Sequence, residues 1–103
     1  MIQRLDTFDS IMRILTTPLG SRVMMPEYGS RLFELIDKPV TDEWILDATR
    51  FTYEAIEKNE PRAVVKNVQI QAGETALFRI EYEEEGRERV VNLGFGEVID
   101  AAA

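Results

Sequence analysis

The chain contains 103 residues, of which 45% are hydrophobic and 30% charged, and its formal net charge at pH 7 is -7. This length and composition fit a single domain with one hydrophobic core. No apolar run approaches the ~20 residues needed to cross a bilayer, so we expect no membrane association through a spanning helix. The acidic balance disfavours nucleic acid as a partner, because phosphate binding depends on cationic side chains.

Two residue types are absent, and their absence narrows the possible chemistry. The chain has no cysteine, which excludes disulfides and thiolate metal sites, and no histidine, which is the commonest general base and transition-metal ligand. We therefore expect no metal site and no cofactor. The residues before Asp6 lack the apolar segment of a secretion signal, and we expect folding in a reducing cytosol.

The first third of the chain predicts two short helices separated by a loop. Residues 7–15 are predicted to form the first helix, with apolar residues at helical spacing at Leu5, Phe8, Ile11, Met12 and Leu15. Pro18 and Gly20 end it, and residues 21–25 are predicted to be extended because Pro26 follows them. Ser30 is the expected N-cap of a second helix over residues 31–37.

The stretch from residue 41 to residue 59 has the pattern of a long amphipathic helix. Thr41 is a favourable N-cap, and the acidic residues after it suit the positive end of the helix dipole. The apolar face comprises Trp44, Ile45, Ala48, Phe51, Thr52, Ala55 and Ile56. Pro61 cannot donate a hydrogen bond to a continuing helix, so the helix is predicted to end at Asn59.

The last forty residues predict three antiparallel strands. Their inward-facing residues are expected at Val64, Val68 and Ile70, at Phe78, Ile80 and Tyr82, and at Val91, Leu93 and Phe95. Gly94 and Gly96 predict an irregular C-terminal end. The expected fold class is therefore α+β, with two or three helices packed on one face of a three-stranded antiparallel sheet.

The corner between the long helix and the first strand carries an acid and a base, Glu60 and Arg62. Pro61 is expected to direct them apart, with Arg62 capping the last helical carbonyls and Glu60 in solvent, unless a partner contacts this corner. Arg22 and Glu27 flank the constrained loop. A mutual salt bridge, or one between Arg62 and Glu27, is the conservative interpretation of that pair.

Several other residues have structural interpretations that compete with functional ones. Tyr28 and Trp44 are expected to pack in or near the core. Met24 and Met25 are expected to fill the core, with a plastic contact surface as the alternative. The three glutamates at residues 83–85 are expected to form a solvated turn, since a calcium site needs more oxygen ligands at ordered spacing.

Two blocks of the sequence resemble one known family. The first is TPLGSRVMMPEYGS, residues 17–30, followed by Leu32, Leu35, Ile36 and Asp37. The second is Glu60-Pro61-Arg62, after a helix that begins near Trp44. In this order, before three strands, they resemble the protein-W/gene-25-like family of baseplate wedge proteins, found in contractile phage tails, tailocins, related injection systems and the type VI secretion baseplate. The resemblance extends over about residues 6–95, and we expect residues 1–103 to form one such domain.

This resemblance implies a structural role. Family members are similar to the C-terminal domain of the contractile sheath protein and join the inner wedge core to the first sheath ring, with sheath strands adding to their sheet. It implies multiple copies in a virion tail baseplate that is assembled in the bacterial host cytoplasm, with wedge and sheath proteins as partners. It also implies partner contacts at Glu60, Pro61 and Arg62, with an internal salt bridge beside them as an alternative that stays open, and with Arg22 and Glu27 as further candidates. Which contractile machine contains this chain stays open.

Two alternative functions belong to other classes. The unpaired edges of a three-stranded sheet would suit a soluble adaptor that binds a partner by strand addition, although loops and charges often protect such edges. A lysozyme-like hydrolase would need two carboxylates at a defined separation, one with a raised pKa. Glu27 and Glu60 are candidates, but 19 acidic residues make some neighbouring pair almost inevitable. The sequence favours a non-enzymatic wedge protein.

Overall fold

Seven elements succeed one another in residues 6–102, the part of the chain that the computed structural model describes. Helix α1 spans Thr7–Leu15, a short 3-10 helix spans Leu32–Leu35, and helix α2 spans Asp42–Asn59. Strands β1, β2 and β3 span Val64–Gln71, Leu77–Glu84 and Arg87–Gly94, and helix α3 spans Phe95–Ala102. The predicted α+β class, with helices on one face of a three-stranded antiparallel sheet, is confirmed.

Helix α2 begins and ends where its sequence signals lie. Thr41 has extended backbone geometry, and its hydroxyl accepts a hydrogen bond from the Trp44 amide at 3.2 Å. This bond satisfies one of the amides that the first helical turn leaves unpaired. The last helical residue is Asn59, two positions before Pro61. Local side-chain chemistry therefore determines both ends of the longest helix.

The predicted bounds of α1 are confirmed, but part of its predicted inward face is wrong. Ile11 and Leu15 are buried as expected, whereas Phe8 is 38% exposed and Ile14 is fully buried in its place. Leu5 lies outside the described residues. The buried face of α1 is therefore centred closer to Ile14 than the sequence predicts, because α1 packs against both α2 and β3.

The sheet has the order β1-β2-β3, and both pairings are antiparallel. The register of β1 shifts between Val65 and Asn67, which marks a β-bulge at the position where the sequence pattern is irregular. Consequently Val65 packs against the core and Val64, predicted to face inward, is 53% exposed. The β2–β3 turn has positive φ at Glu85 (52°) and Gly86 (80°), as a two-residue type I′ hairpin requires.

The core lies between the inner face of the sheet and the helices. Trp44 joins the two layers: its indole ring makes edge-on contacts with Phe78 and Phe95, with ring centroids 6.2 and 5.1 Å apart. Its ring N–H donates to the Leu35 carbonyl at 3.1 Å, so the buried indole has its hydrogen-bond partner. The expected packing of Trp44 is confirmed, and Tyr28 packs against the core while partly exposed.

The C-terminal residues form a helix, which corrects the predicted irregular end. Phe95 and Val98 are three positions apart and buried, so α3 has an apolar stripe that packs beside the sheet. Glu97 accepts a hydrogen bond from the Gly94 amide at 3.2 Å, which satisfies a donor just before the helix. The sequence predicted an irregular end because two glycines within three residues disfavour a helix, and the apolar pattern that favours one is short.

Two predictions in the first third of the chain are also wrong. The helix expected over residues 31–37 is only the 3-10 helix Leu32–Leu35, too short for a regular α-helix, although Ser30 does accept from the Leu32 amide. Residues 21–25 are not extended: they form a turn in which the Met25 amide donates to the Arg22 carbonyl at 3.3 Å. Met24 adopts φ of +72°, a left-handed conformation that no hydropathy pattern indicates.

Gly29 closes the loop that contains this turn, and we expect its replacement to be costly. Its φ is +117°, and an added Cβ would collide with the Thr17 carbonyl oxygen. Gly29→Ala should lower stability by about 2 kcal/mol or more, seen as a fall in Tm of roughly 8 °C or more. The matched variant Gly73→Ala, whose Cβ would approach the chain no closer than 3.7 Å, should leave Tm unchanged or slightly raised. Equal Tm values for the two variants would contradict this account of Gly29.

Candidate partner interface

The corner at residues 60–62 is a tight turn built on the end of α2. The Glu60 amide donates to the Ile56 carbonyl at 2.8 Å, and the Ala63 amide donates back to the Glu60 carbonyl at 3.1 Å. Pro61, with its restricted φ, occupies the second position of this turn and is exposed. The corner is therefore a rigid connection between α2 and β1.

Glu60 and Arg62 form a direct ion pair across this turn. The Arg62 guanidinium donates from Nε to Glu60 Oε1 and from Nη2 to Oε2, each at 2.8 Å, and the Arg62 amide donates to Oε1 at 3.2 Å. The expectation that Pro61 would direct the two side chains apart is wrong, because the turn folds the arginine back over the carboxylate. Glu60 is also not in solvent, since only 4% of it is exposed.

The environment of Glu60 keeps its carboxylate ionised. The pKa of Glu60 is lowered from 4.5 to about 2, chiefly by the hydrogen bonds from the Arg62 guanidinium, with smaller contributions from the Ser10 hydroxyl and the Arg62 amide. Burial opposes them but is outweighed. The arrangement makes Glu60 a positioning residue for Arg62, whose side chain is 31% exposed. Of the pair, the arginine is the one that a partner can reach.

The two salt bridges expected for Glu27, with Arg22 or with Arg62, are wrong. Glu27 pairs with Lys58, and Arg62 pairs with Glu60. The Arg22 guanidinium lies over the Tyr28 ring, 4.5 Å from its centroid. Glu27 pairs instead with Lys58 at 3.3 Å, an exposed contact that holds the loop to the last turn of α2. The five predicted site residues thus fall into two groups, the corner and the loop, both attached to the C-terminal end of α2.

A second polar cluster, which the sequence did not reveal, ties the start of α1 to the sheet. The Arg89 guanidinium lies 2.7 Å from Asp6 and 3.0 Å from Glu84, and its hydrogen bonds lower the pKa of Asp6. The buried Thr7 hydroxyl lies 2.9 Å from the Tyr82 hydroxyl and donates to Glu84 at 2.8 Å. Asp6 and Thr7 lie more than 70 positions from their partners on the sheet, so no local motif could have indicated these contacts.

The glutamate-rich turn is less solvated than predicted. Glu83 pairs with Lys66 at 3.0 Å and Glu84 with Arg89, leaving Glu85 at the exposed tip. Met24 and Met25 do not fill the core, since they are 91% and 48% exposed. Residues 6–102 contain no acidic group of three or more side chains placed to hold a metal ion. None of the helices in these residues is long and apolar enough to cross a membrane.

Comparison with known proteins gives matches along most of the chain. Residues 6–90 match the family of baseplate wedge protein gp25. A 59-residue region is 46% identical to baseplate protein W of Escherichia phage P2, covering 57% of this chain and 51% of that protein. The match thus spans about half the length of this curated relative.

Two solved structures share the fold. A chain of the post-contracted pyocin R2 baseplate is 34% identical, with a TM-score of 0.59 over 84% of this chain and 77% of that chain. A putative tail lysozyme from Geobacter sulfurreducens has a TM-score of 0.69 over 91% of this chain and 96% of that chain, but at 21% identity it indicates the fold alone. The family match covers well over half of the 103 residues and confirms the resemblance carried by residues 17–37 and 60–62. The chain belongs to the gp25 family of baseplate wedge proteins of contractile tails.

Proposed function

We propose that this protein is a non-enzymatic link between the inner wedge core of a contractile-tail baseplate and the first ring of the sheath. The observation that carries this proposal is the separation of its two candidate contact surfaces. The corner at residues 60–62 leads into β1, whereas β3 forms the opposite edge of the sheet. Two strand spacings, roughly 10 Å, separate those edges. The corner and the β3 edge are therefore distinct surfaces, as a link between two partners requires.

The β3 edge is the better acceptor for a sheath strand. A bulge interrupts β1 and α2 packs against it, and such features discourage strand addition at an edge. In contrast, β3 pairs with β2 in unbroken register from Arg87 to Gly94. Its second half, residues 90–94, carries no charged side chain. An added strand would find regular backbone geometry there and no charge to desolvate.

The corner is the surface we assign to the wedge core. Arg62 presents a partly exposed guanidinium whose orientation is determined by a buried carboxylate, beside the exposed Pro61. A pre-oriented arginine loses little conformational freedom on binding, and its partly exposed positive charge can attract a carboxylate of the partner. Glu27 contacts the same end of α2 through Lys58, and we assign it to this surface together with Arg22 on the same loop.

The electrostatics of Glu60 argue against the hydrolase alternative. A glycosidase's general acid must keep its proton near neutral pH, which requires a raised pKa. The pKa of Glu60 is instead lowered to about 2. Its carboxylate also accepts hydrogen bonds from Arg62, and Glu60 is 4% exposed, so it lacks access to a substrate.

The protein would act in multiple copies within a baseplate assembled in the host cytoplasm.

Binding to the purified wedge-core and sheath proteins of the same tail tests this proposal. We expect Arg62→Ala to weaken wedge-core binding roughly tenfold or more while sheath binding is retained, since one interface arginine commonly contributes more than about 1.4 kcal/mol. The double variant Val90→Lys, Asn92→Lys should do the reverse, because lysines on an edge strand oppose strand addition.

Two control variants distinguish the loss of a partner contact from the loss of the folded structure. Arg50→Ala removes an exposed arginine from α2 and should leave both affinities unchanged. Arg62→Lys keeps a cation beside Glu60 but loses the two-pronged geometry, so it should fold normally and still bind the wedge core weakly. If wild-type protein, shown folded, bound neither protein, the linking role would be refuted.

A further inference from the structure

The loop that precedes the 3-10 helix exposes apolar side chains at its tip. Met24 is 91% exposed and Val23 88%, the highest values among the large hydrophobic residues described, and Met25 and Leu19 are 48% and 45% exposed. We call residues 19–28 the apolar loop. An apolar cluster of this kind, on the surface of an otherwise well-packed domain, is typical of a protein-binding site.

The apolar loop is ordered by its own hydrogen bonds. At its base, the Leu19 amide donates to the Ser30 carbonyl at 3.1 Å and the Ser30 amide to the Thr17 carbonyl at 2.9 Å. At its tip, the Met25 amide donates to the Arg22 carbonyl, and the Tyr28 amide donates to the Met25 carbonyl. The loop therefore presents its side chains in one arrangement, which lowers the entropy lost when a partner binds.

The backbone of Met24 indicates that this arrangement has a function. Its φ of +72° is a conformation that side chains other than glycine rarely adopt. Strained residues of this kind cluster at functional sites. Here the strain directs a flexible apolar side chain into solvent, where it contributes nothing to the core. A glycine would suit the backbone better, so the side chain itself is the feature that needs an explanation.

The charge of this region differs from that of the rest of the chain. Residues 10–31 contain three of the 12 basic residues, Arg13, Arg22 and Arg31, but only one of the 19 acidic residues, Glu27. Glu27 is in turn paired with Lys58. Arg22 lies on the Tyr28 ring at the side of the tip. Arg31 is paired with Glu34, so Arg22 is a cation that the apolar loop presents beside its tip, on a protein whose net charge is -7.

We propose that the apolar loop is a preformed plug that enters an apolar pocket, rimmed by carboxylates, on the wedge-core protein. This inference rests on the proposed function and adds a second, hydrophobic contact to the Arg62 corner. Val23 and Met24 fill the pocket, and methionine suits this role because its side chain adapts to irregular shapes. Arg22 pairs with the acidic rim, and this charge complementarity selects an apolar pocket bordered by carboxylates over an uncharged one.

Calorimetric titration with purified wedge-core protein tests the plug. We expect Val23→Ser, Met24→Gly to weaken binding at least tenfold, while the single change Met24→Gly leaves Tm unchanged or raised because it relieves the positive φ. Leu46→Ser, a change at a side chain that is 70% exposed on α2, is the matched control and should change the affinity less than twofold. Arg22→Ala should weaken binding and reduce its dependence on salt.

Each other outcome has a definite meaning. Equal affinity of the loop variant and wild type, with Arg62→Ala still weakened, would overturn the plug and leave the linking role intact. Failure of wild type to bind either neighbour would overturn both. A wild-type dimer that the loop variant abolishes, without any change in wedge-core affinity, would assign the loop to self-association and overturn the plug.

Discussion

Trp44→Ala is expected to lower the free energy of unfolding by about 3–5 kcal/mol, the typical cost of removing a large buried aromatic side chain. Trp44 is 3% exposed and contacts the rings of both Phe78, on β2, and Phe95, at the start of α3. Its removal opens a cavity where helix and sheet layers meet, and the Leu35 carbonyl loses the indole donor while keeping the Lys38 amide. A domain of this size has only about 5–15 kcal/mol of stability, so this single change should remove a large fraction of it.

Urea unfolding followed by far-UV circular dichroism measures this loss. Leu46→Ala lies two residues further along the same helix, at a side chain that is 70% exposed, and should change stability by no more than about 0.5 kcal/mol. A loss below about 1 kcal/mol for Trp44→Ala would mean that Trp44 does not hold the two layers together.

Between about pH 5 and pH 2, the wild type is expected to lose roughly 3 kcal/mol of stability that Glu60→Gln does not lose. Folding lowers the pKa of Glu60 from 4.5 to about 2, and each pKa unit corresponds to about 1.4 kcal/mol. Because the folded-state pKa is the lower one, this contribution is complete above the unfolded pKa and disappears as the pH falls through the folded one. Glu60→Gln should therefore be less stable at pH 7, and the gap should close in acid.

Urea titrations of both proteins at several pH values give the gap directly, and contributions from other carboxylates cancel in the difference. Ser10→Ala should narrow the gap only in part, since it removes one of the hydrogen bonds that favour the ionised carboxylate. Glu54→Gln, an equal change at an exposed position of α2, should leave stability at pH 7 within about 0.5 kcal/mol of wild type. A gap that stays constant from pH 7 to pH 2.5 would show that the ionised Glu60–Arg62 pair contributes nothing to stability.

The elements predicted best are those whose signals are local and repeated. The bounds of α1 and α2 were confirmed because helical periodicity and a following proline act within one or two turns, as does the Thr41 cap of α2. Strand β2 was confirmed because Phe78, Ile80 and Tyr82 alternate with charged residues, and that alternation places them on one face. The family could also be recognised from the sequence, since the residues within each of its two blocks are close together in the chain.

The elements predicted worst depend on contacts between distant residues. The shift of the buried face of α1 toward Ile14, and the attachment of its first residues to Arg89, follow from packing against β3. Helix α3 forms because the sheet and Trp44 bury Phe95, although two glycines nearby argue against a helix. Short apolar patterns are ambiguous until a neighbouring surface determines which side is buried.

Residue types at short spacing are enough to predict the domain class, the long helix, the antiparallel sheet and membership of the wedge family. The construction of the candidate interface depends instead on contacts between distant parts of the chain. The tertiary structure buried Glu60, turned Arg62 back onto it, separated Arg22 from Glu27 and placed Val23 and Met24 in solvent. The physical reason is that pairing and burial of a charged or flexible side chain depend on which surfaces surround it, and distant parts of the chain supply those surfaces.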